Sequence, residues 1–245
     1  MSNEQLQGKR VVVIGGSSGI GFAVARRAMD AGAEVIIGSS DPGKVQAAVA
    51  RLGGRATGST VDVRDEASVA AFFEAAGRFD HVAFTAGDWG SFRAPRPLAA
   101  LDLAGAGDVF AVRFWGAVSV VKHALAGIAA DGSITLTNGV VAHRPRKGGP
   151  LSTAMAGAIE HLTRALAVDL APLRVNAVCP GLVLTEVWNG IPEDQRVQQL
   201  KSMTAAQPLP RAGEPAEIAE AYHYLMSGSF STGQVLIVDG GRTLV

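Results

Sequence analysis

The stretch from Val11 to Gly21 constrains this chain more than any other. Four apolar residues, Val11 to Ile14, run directly into Gly15, Gly16, Ser17, Ser18, Gly19, Ile20 and Gly21. A helical pattern then begins at Phe22 and continues through Val24, Ala25 and Ala28. The order is strand, glycine turn, helix. Glycines let main-chain amides approach an anion, and the start of the helix adds partial positive charge. The arrangement therefore predicts a nucleotide-phosphate site, the plain alternative being a tight strand-to-helix turn without a ligand.

Further along, apolar strands alternate with helical periodicity. Strands are expected at Glu34 to Ile37, Ala56 to Val63, His81 to Thr85, Ser133 to Leu136, Arg174 to Val178 and Val235 to Val238. Helices are expected at Lys44 to Leu52, Glu66 to Ala76, Leu103 to Leu125 and Ala154 to Leu170, with a polar, lid-like helix at Glu193 to Thr204. This pattern predicts an α/β Rossmann fold: a doubly wound, parallel seven-stranded sheet with helices on both faces and ligands beyond the carboxyl ends of the strands. No Pro/Ser-rich or charge-dense linker interrupts residues 1–245, so one domain is expected.

Lys plus Arg and Asp plus Glu number 22 each, so no net field draws the chain to nucleic acid or acidic lipid, and a small molecule is the expected partner. A single cysteine, Cys179, forbids an internal disulfide and suits a reducing compartment. No apolar run approaches the roughly 18 residues of a membrane helix, and the start lacks a leader-like apolar core. A cytoplasmic protein is expected.

Several segments, in order and over nearly the whole chain, resemble the short-chain dehydrogenase/reductase superfamily. Ile14 to Gly21 is similar to its TGxxxGxG turn with Ile in place of Thr, Asp62-Val63 to its adenine-contacting pair, and Thr85-Ala86-Gly87 to the end of its NNAG motif. Arg174-Val175-Asn176, Pro180-Gly181 and Thr185 resemble its RVNxxxPGxxxT segment, with Val183 between. The resemblance implies a nicotinamide dinucleotide held by these residues, and a homodimer or homotetramer built on the two long helices.

It also implies a catalytic Tyr, Lys, Ser and Asn. Aligning Thr163 to Ala167 with the family's TRALA segment puts Ser152 at the Tyr position, Ala156 at the Lys, Gly139 at the Ser and Arg113 at the Asn. All four depart from the pattern, and the only tyrosines are Tyr222 and Tyr224. Expected substitutes are Arg113, Asn138, Ser152 and His143. Arg113 interrupts an apolar run and needs either a structural or a ligand partner. Ser152 either bonds a carbonyl oxygen or caps its helix. Histidine is the residue type suited to acid–base work near neutrality, although a lone loop histidine such as His143 is more often simply a solvated side chain. Arg144, Arg146 and Lys147 beside it suit an anionic substrate or a solvated surface. Cys179 is read as core. No His, Cys and carboxylate cluster has metal-ligand spacing along the chain, so no metal is expected.

Cofactor choice rests on the end of the second strand, where an acidic residue would favour NAD(H) and repel a 2′-phosphate. Ser39 and Ser40 stand there, with Lys44 nearby, so NADP(H) is favoured over NAD(H). A non-redox isomerase or cyclase, or a silent cofactor-dependent sensor, is the alternative to an oxidoreductase.

Overall fold

The structure, a computed structural model, describes residues 5–87 and 98–245. Residues 1–4 of the amino-terminal segment lie outside that set. The sheet contains β1 (Arg10–Ile14), β2 (Glu34–Ser39), β3 (Ala56–Thr60), β4 (Phe79–Phe84), β5 (Ile128–Thr137), β6 (Arg174–Pro180) and β7 (Val235–Val238). All pairings are parallel, in the order β3-β2-β1-β4-β5-β6-β7. The expected doubly wound sheet is therefore present, with the order reversing between β1 and β4. Two strands differ most from expectation at their ends. β3 stops at Thr60, before Asp62 and Val63, and β5 starts early at Ile128, with an irregular pairing to β4 between Phe79 and His81.

Alternation along the strands explains why both faces are covered. In β1, Val12 and Ile14 pack with α3 (Glu66–Ala76), α5 (Gly116–Ala124) and α6 (Pro150–Asp169), through residues such as Phe72, Val120 and Ile159. Val11 and Val13 face the other layer, formed by α1 (Gly19–Asp30), α2 (Pro42–Leu52) and α8 (Pro215–Ser227), through Val24, Val45 and Tyr222. Strands buried on both faces are near-continuously apolar, as β1 is.

The helix expected from Leu103 begins only at α4 (Asp108–Phe110) and passes through a π-helical turn, Ala111–Trp115, into α5. Gly105 and Gly107 carry too little helical propensity to extend it backward, and Leu103 is exposed. The polar helix α7 (Glu193–Thr204) buries only Thr204, in keeping with a covering element rather than a core one.

Candidate functional site

The glycine turn is built by main-chain crowding. Gly15 has φ +87°, and a Cβ there would come within 2.6 Å of the Ala86 amide nitrogen. A Cβ on Gly21 would run into the Gly15 carbonyl oxygen and Thr85 Oγ1. Thr85 fastens this packing by donating from its amide (2.8 Å) and from Oγ1 (2.9 Å) to the Ile14 carbonyl. The Gly15 amide in turn donates to the Gly38 carbonyl at 2.7 Å. Ser18, in extended backbone, precedes α1 without capping it through its side chain, and the first turn, including Ile20, holds no acidic residue. The amides at the start of α1 are thus left for an anion.

The other expected cofactor residues gather at the same carboxyl edge. Ser17 is buried and donates to Ser39 Oγ at 2.9 Å, tying the turn to the end of β2, while Ser40 is exposed. Asp62 accepts from the Arg64 amide at 3.0 Å, and Val63 packs where a Cβ on Gly116 would fall. Ala86 and Gly87 follow β4. Pro180 ends β6, and the Gly181 amide donates to the Val238 carbonyl at 2.9 Å, so close to Asp239 that a Cβ would meet its Cα at 2.7 Å. Val183 bridges to Gly213, and Thr185 faces Gly19, where a Cβ would lie 3.2 Å from Thr185 Cγ2. These residues fit a dinucleotide: main-chain crowding at Gly15 and Gly21 shuts side chains out of the turn, and the start of α1 carries neither a side-chain cap nor an acidic residue. Glu186, not foreseen from the sequence, puts a carboxylate oxygen 3.4 Å from that same Cβ position.

The expected proton-handling residues divide into two groups. The π-helical turn sets Arg113 against Gly87, where a Cβ would come within 2.7 Å of a terminal guanidinium nitrogen. Such turns recur at functional sites because the widened helix redirects a side chain. Ser152 is buried in the first turn of α6, whose cap is Gly149, so Ser152 is not the helix cap. Asn138 and His143 instead converge on Glu160, which stands two turns past Ser152, about 12 Å along the helix. Asn138 Nδ2 donates to Glu160 Oε1 at 2.7 Å, and His143 Nε2 lies 2.7 Å from the same oxygen. Arg164 approaches the other carboxylate oxygen at 3.7 Å. Residue spacing hides Glu160, because its partners come from the end of β5 and the loop after it.

Neither tyrosine lies on the α5/α6 face. Tyr222 is fully buried in the α1/α8 layer and shares a 2.5 Å hydrogen bond with Thr137 Oγ1; burial raises its pKa, partly offset by that bond and by the Arg113 charge. Tyr224 is exposed on α8. Cys179 is buried, and burial, with the Glu160 and Asp239 carboxylates adding to it, pushes its thiol up to about 12. Of the basic loop, Arg144, Arg146 and Lys147 are exposed, Arg144 donating to the Arg242 carbonyl at 2.9 Å.

A family model described as Enoyl-(Acyl carrier protein) reductase matches residues 14–243. Cis-4-hydroxycyclohexanecarboxylate dehydrogenase of Sinomonas cyclohexanicum is 38% identical over 246 residues, covering 96% of each chain. Among solved structures, the MalC Reductase/Diels-Alderase from Malbranchea aurantiaca superposes with TM-score 0.92 at 34% identity over 100% of both chains. A small-chain dehydrogenase in complex with NADPH superposes with TM-score 0.81 at 33% identity, over 97% of this chain and 99% of that one. Together with the strand-end geometry, these matches place the chain in the short-chain dehydrogenase/reductase family, whose members bind a nicotinamide cofactor.

Proposed function

We propose that this protein binds NADP(H) at the glycine turn and acts as an oxidoreductase on a small carbonyl or alcohol substrate that carries an anionic group. When bound, the nicotinamide supplies or accepts the hydride. The observation that carries the reading is Arg113, set by the π-helical turn against Gly87 at the carboxyl edge of the sheet. A guanidinium there stabilises negative charge on a substrate oxygen or pairs with a carboxylate. Ser152, in the first turn of α6, offers its hydroxyl to the same oxygen. The hydroxy-carboxylate named for the Sinomonas relative is of the same class. NADP(H) follows from Ser39 and Ser40, which put no carboxylate against a 2′-phosphate.

A second reading is favoured by Ser152 and Ala156 standing at the family's Tyr and Lys positions: a non-redox conversion in the nicotinamide cavity. The double role named for the Malbranchea structure, reductase and Diels-Alderase, is a precedent for it. Both readings treat 1–245 as one domain in a cytoplasmic setting. No helix among the described residues is long and apolar enough to cross a membrane. They also assume a homodimer or homotetramer, for which exposed Trp115 and Val168 offer apolar surface beside α5 and on α6.

The test is a panel of hydroxy and oxo carboxylates followed both by nicotinamide absorbance and by product analysis. The first reading expects cofactor turnover, reduced about 100-fold in Arg113→Met, the usual size of losing one oxyanion donor. Product without absorbance change selects the second. No conversion of any panel member refutes both.

A further inference from the structure

We propose that His143, Glu160 and Cys179 form a binding site for a divalent transition metal of the zinc type. The imidazole nitrogen, a carboxylate oxygen and the thiol sulfur lie within 4.8 Å of one another. One nitrogen, one oxygen and one sulfur is a donor set that zinc accepts, at about 2.0–2.3 Å per bond. Tetrahedral zinc would hold such donors roughly 3.2–3.7 Å apart, so rotations on the order of 1 Å suffice.

Three features of the cluster point to a cation. Glu160 is a buried carboxylate whose nearest companions are an imidazole and an amide, Arg164 reaching only to 3.7 Å. Cys179 places a second potential anion beside it. Asn138, 2% exposed, donates through Nδ2 to Glu160, yet its Oδ1 is buried without a hydrogen-bond partner. Turning that amide would offer an oxygen as a fourth ligand. The four residues come from the end of β5, the loop after it, the middle of α6 and the end of β6. Metal binding would therefore fasten the loop at Val140–Ala142 to both of the elements it runs between. On binding, the thiol proton leaves to solvent as the Cys179–metal bond forms, and no oxidation state changes. His143 keeps a third of its side chain exposed, which gives the ion an entry path.

The test reads the bound metal itself, so it needs no cofactor or substrate. The full-length protein is freed of metal with a chelator, titrated with Co2+ for the thiolate-to-cobalt absorption band, and competed with Zn2+. The expected result is one cobalt per chain, a charge-transfer band that zinc abolishes, and a rise in melting temperature with zinc. Cys179→Ala should remove the band. His143→Ala, at a partly exposed position that leaves the core intact, removes a direct ligand and should weaken binding by more than the roughly 10- to 100-fold that loss of an outer-shell partner causes. Absence of the band in the parent protein overturns the proposal and leaves a metal-free hydrogen-bonded cluster. A band unchanged in Cys179→Ala or in His143→Ala, with circular dichroism showing folded variants, overturns it equally.

Discussion

Replacing Gly19 by alanine separates an anion cradle from a mere turn. Gly19 has φ +52°, in the left-handed region, where a Cβ costs about 1–2 kcal/mol. The atoms nearest its new methyl belong to side chains, Thr185 Cγ2 at 3.2 Å and Glu186 Oε2 at 3.4 Å, both of which can yield by a few tenths of an ångström. The fold therefore tolerates the change. At 2–4 °C per kcal/mol for a chain of this size, the melting temperature should fall by roughly 2–8 °C. Gly15 would not serve, since its Cβ would press on the Ala86 amide nitrogen at 2.6 Å and drive β1 from β4. Binding should suffer far more than stability. A hydrogen bond from a main-chain amide to a charged phosphate is worth about 1.5–3 kcal/mol, so a methyl that holds the phosphate off should weaken NADPH about 10- to 150-fold. Fluorescence titration with NADPH, beside thermal melts of the same preparations, measures both. An affinity within twofold of the parent, with the melting point down by only those few degrees, would refute the cradle and leave Gly19 as a chain-turning residue.

Ser39→Asp puts a carboxylate at the end of β2, beside Ser17; at effective dielectric constants typical of protein surfaces this repels a 2′-phosphate by about 2 kcal/mol, so NADPH should weaken about 30-fold while NADH does not. Equal loss of both cofactors would show that Ser39 only supports the turn. His81 is 4% exposed with Nδ1 2.9 Å from Ser133 Oγ, and burial lowers its pKa from 6.5 to about 4. The folded state keeps it neutral while the unfolded chain takes up a proton, so unfolding free energy is full above pH 6.5 and falls by about 3 kcal/mol on the way to pH 4. Urea unfolding at pH 7, 6 and 5 at fixed protein concentration should show the slope and His81→Asn should flatten it; a level parent profile would contradict the buried neutral state.

The fold was legible because its determinants are local. Val11 to Ile14 form a strand by their own propensity and continuous apolarity, and the glycines after them are needed where main chain meets main chain at Ala86 and Gly15. Asp41 signals the start of α2 and does accept from the Lys44 amide at 2.9 Å. Where expectation slipped, at Leu103 to Gly107, apolar spacing was outweighed by glycines that do not sustain a helix. The π-helical turn was invisible for a related reason: one extra residue per turn leaves no mark in composition, and only the packing of Arg113 on Gly87 displays it.

Side-chain chemistry follows a different rule, and His143 illustrates why. A loop histidine among arginines reads as solvated, and its exposed neighbours bear that out for the loop as a whole. Yet parallel pairing sets Thr137 beside Val178, which carries Asn138 and Cys179 to adjoining strand ends, and α6 crosses them with Glu160 inward. Three residues separated by 17 and 19 positions meet only because the crossover from β5 to β6 is a helix of this length. On α6, Glu160 stands two turns past Ser152, so the third turn of the helix closes a polar cluster with Asn138 and His143 that the first turn does not enter. A change in the first turn should therefore leave the lower cluster intact, and a change at Glu160 should release both Asn138 at the end of β5 and the loop that His143 anchors.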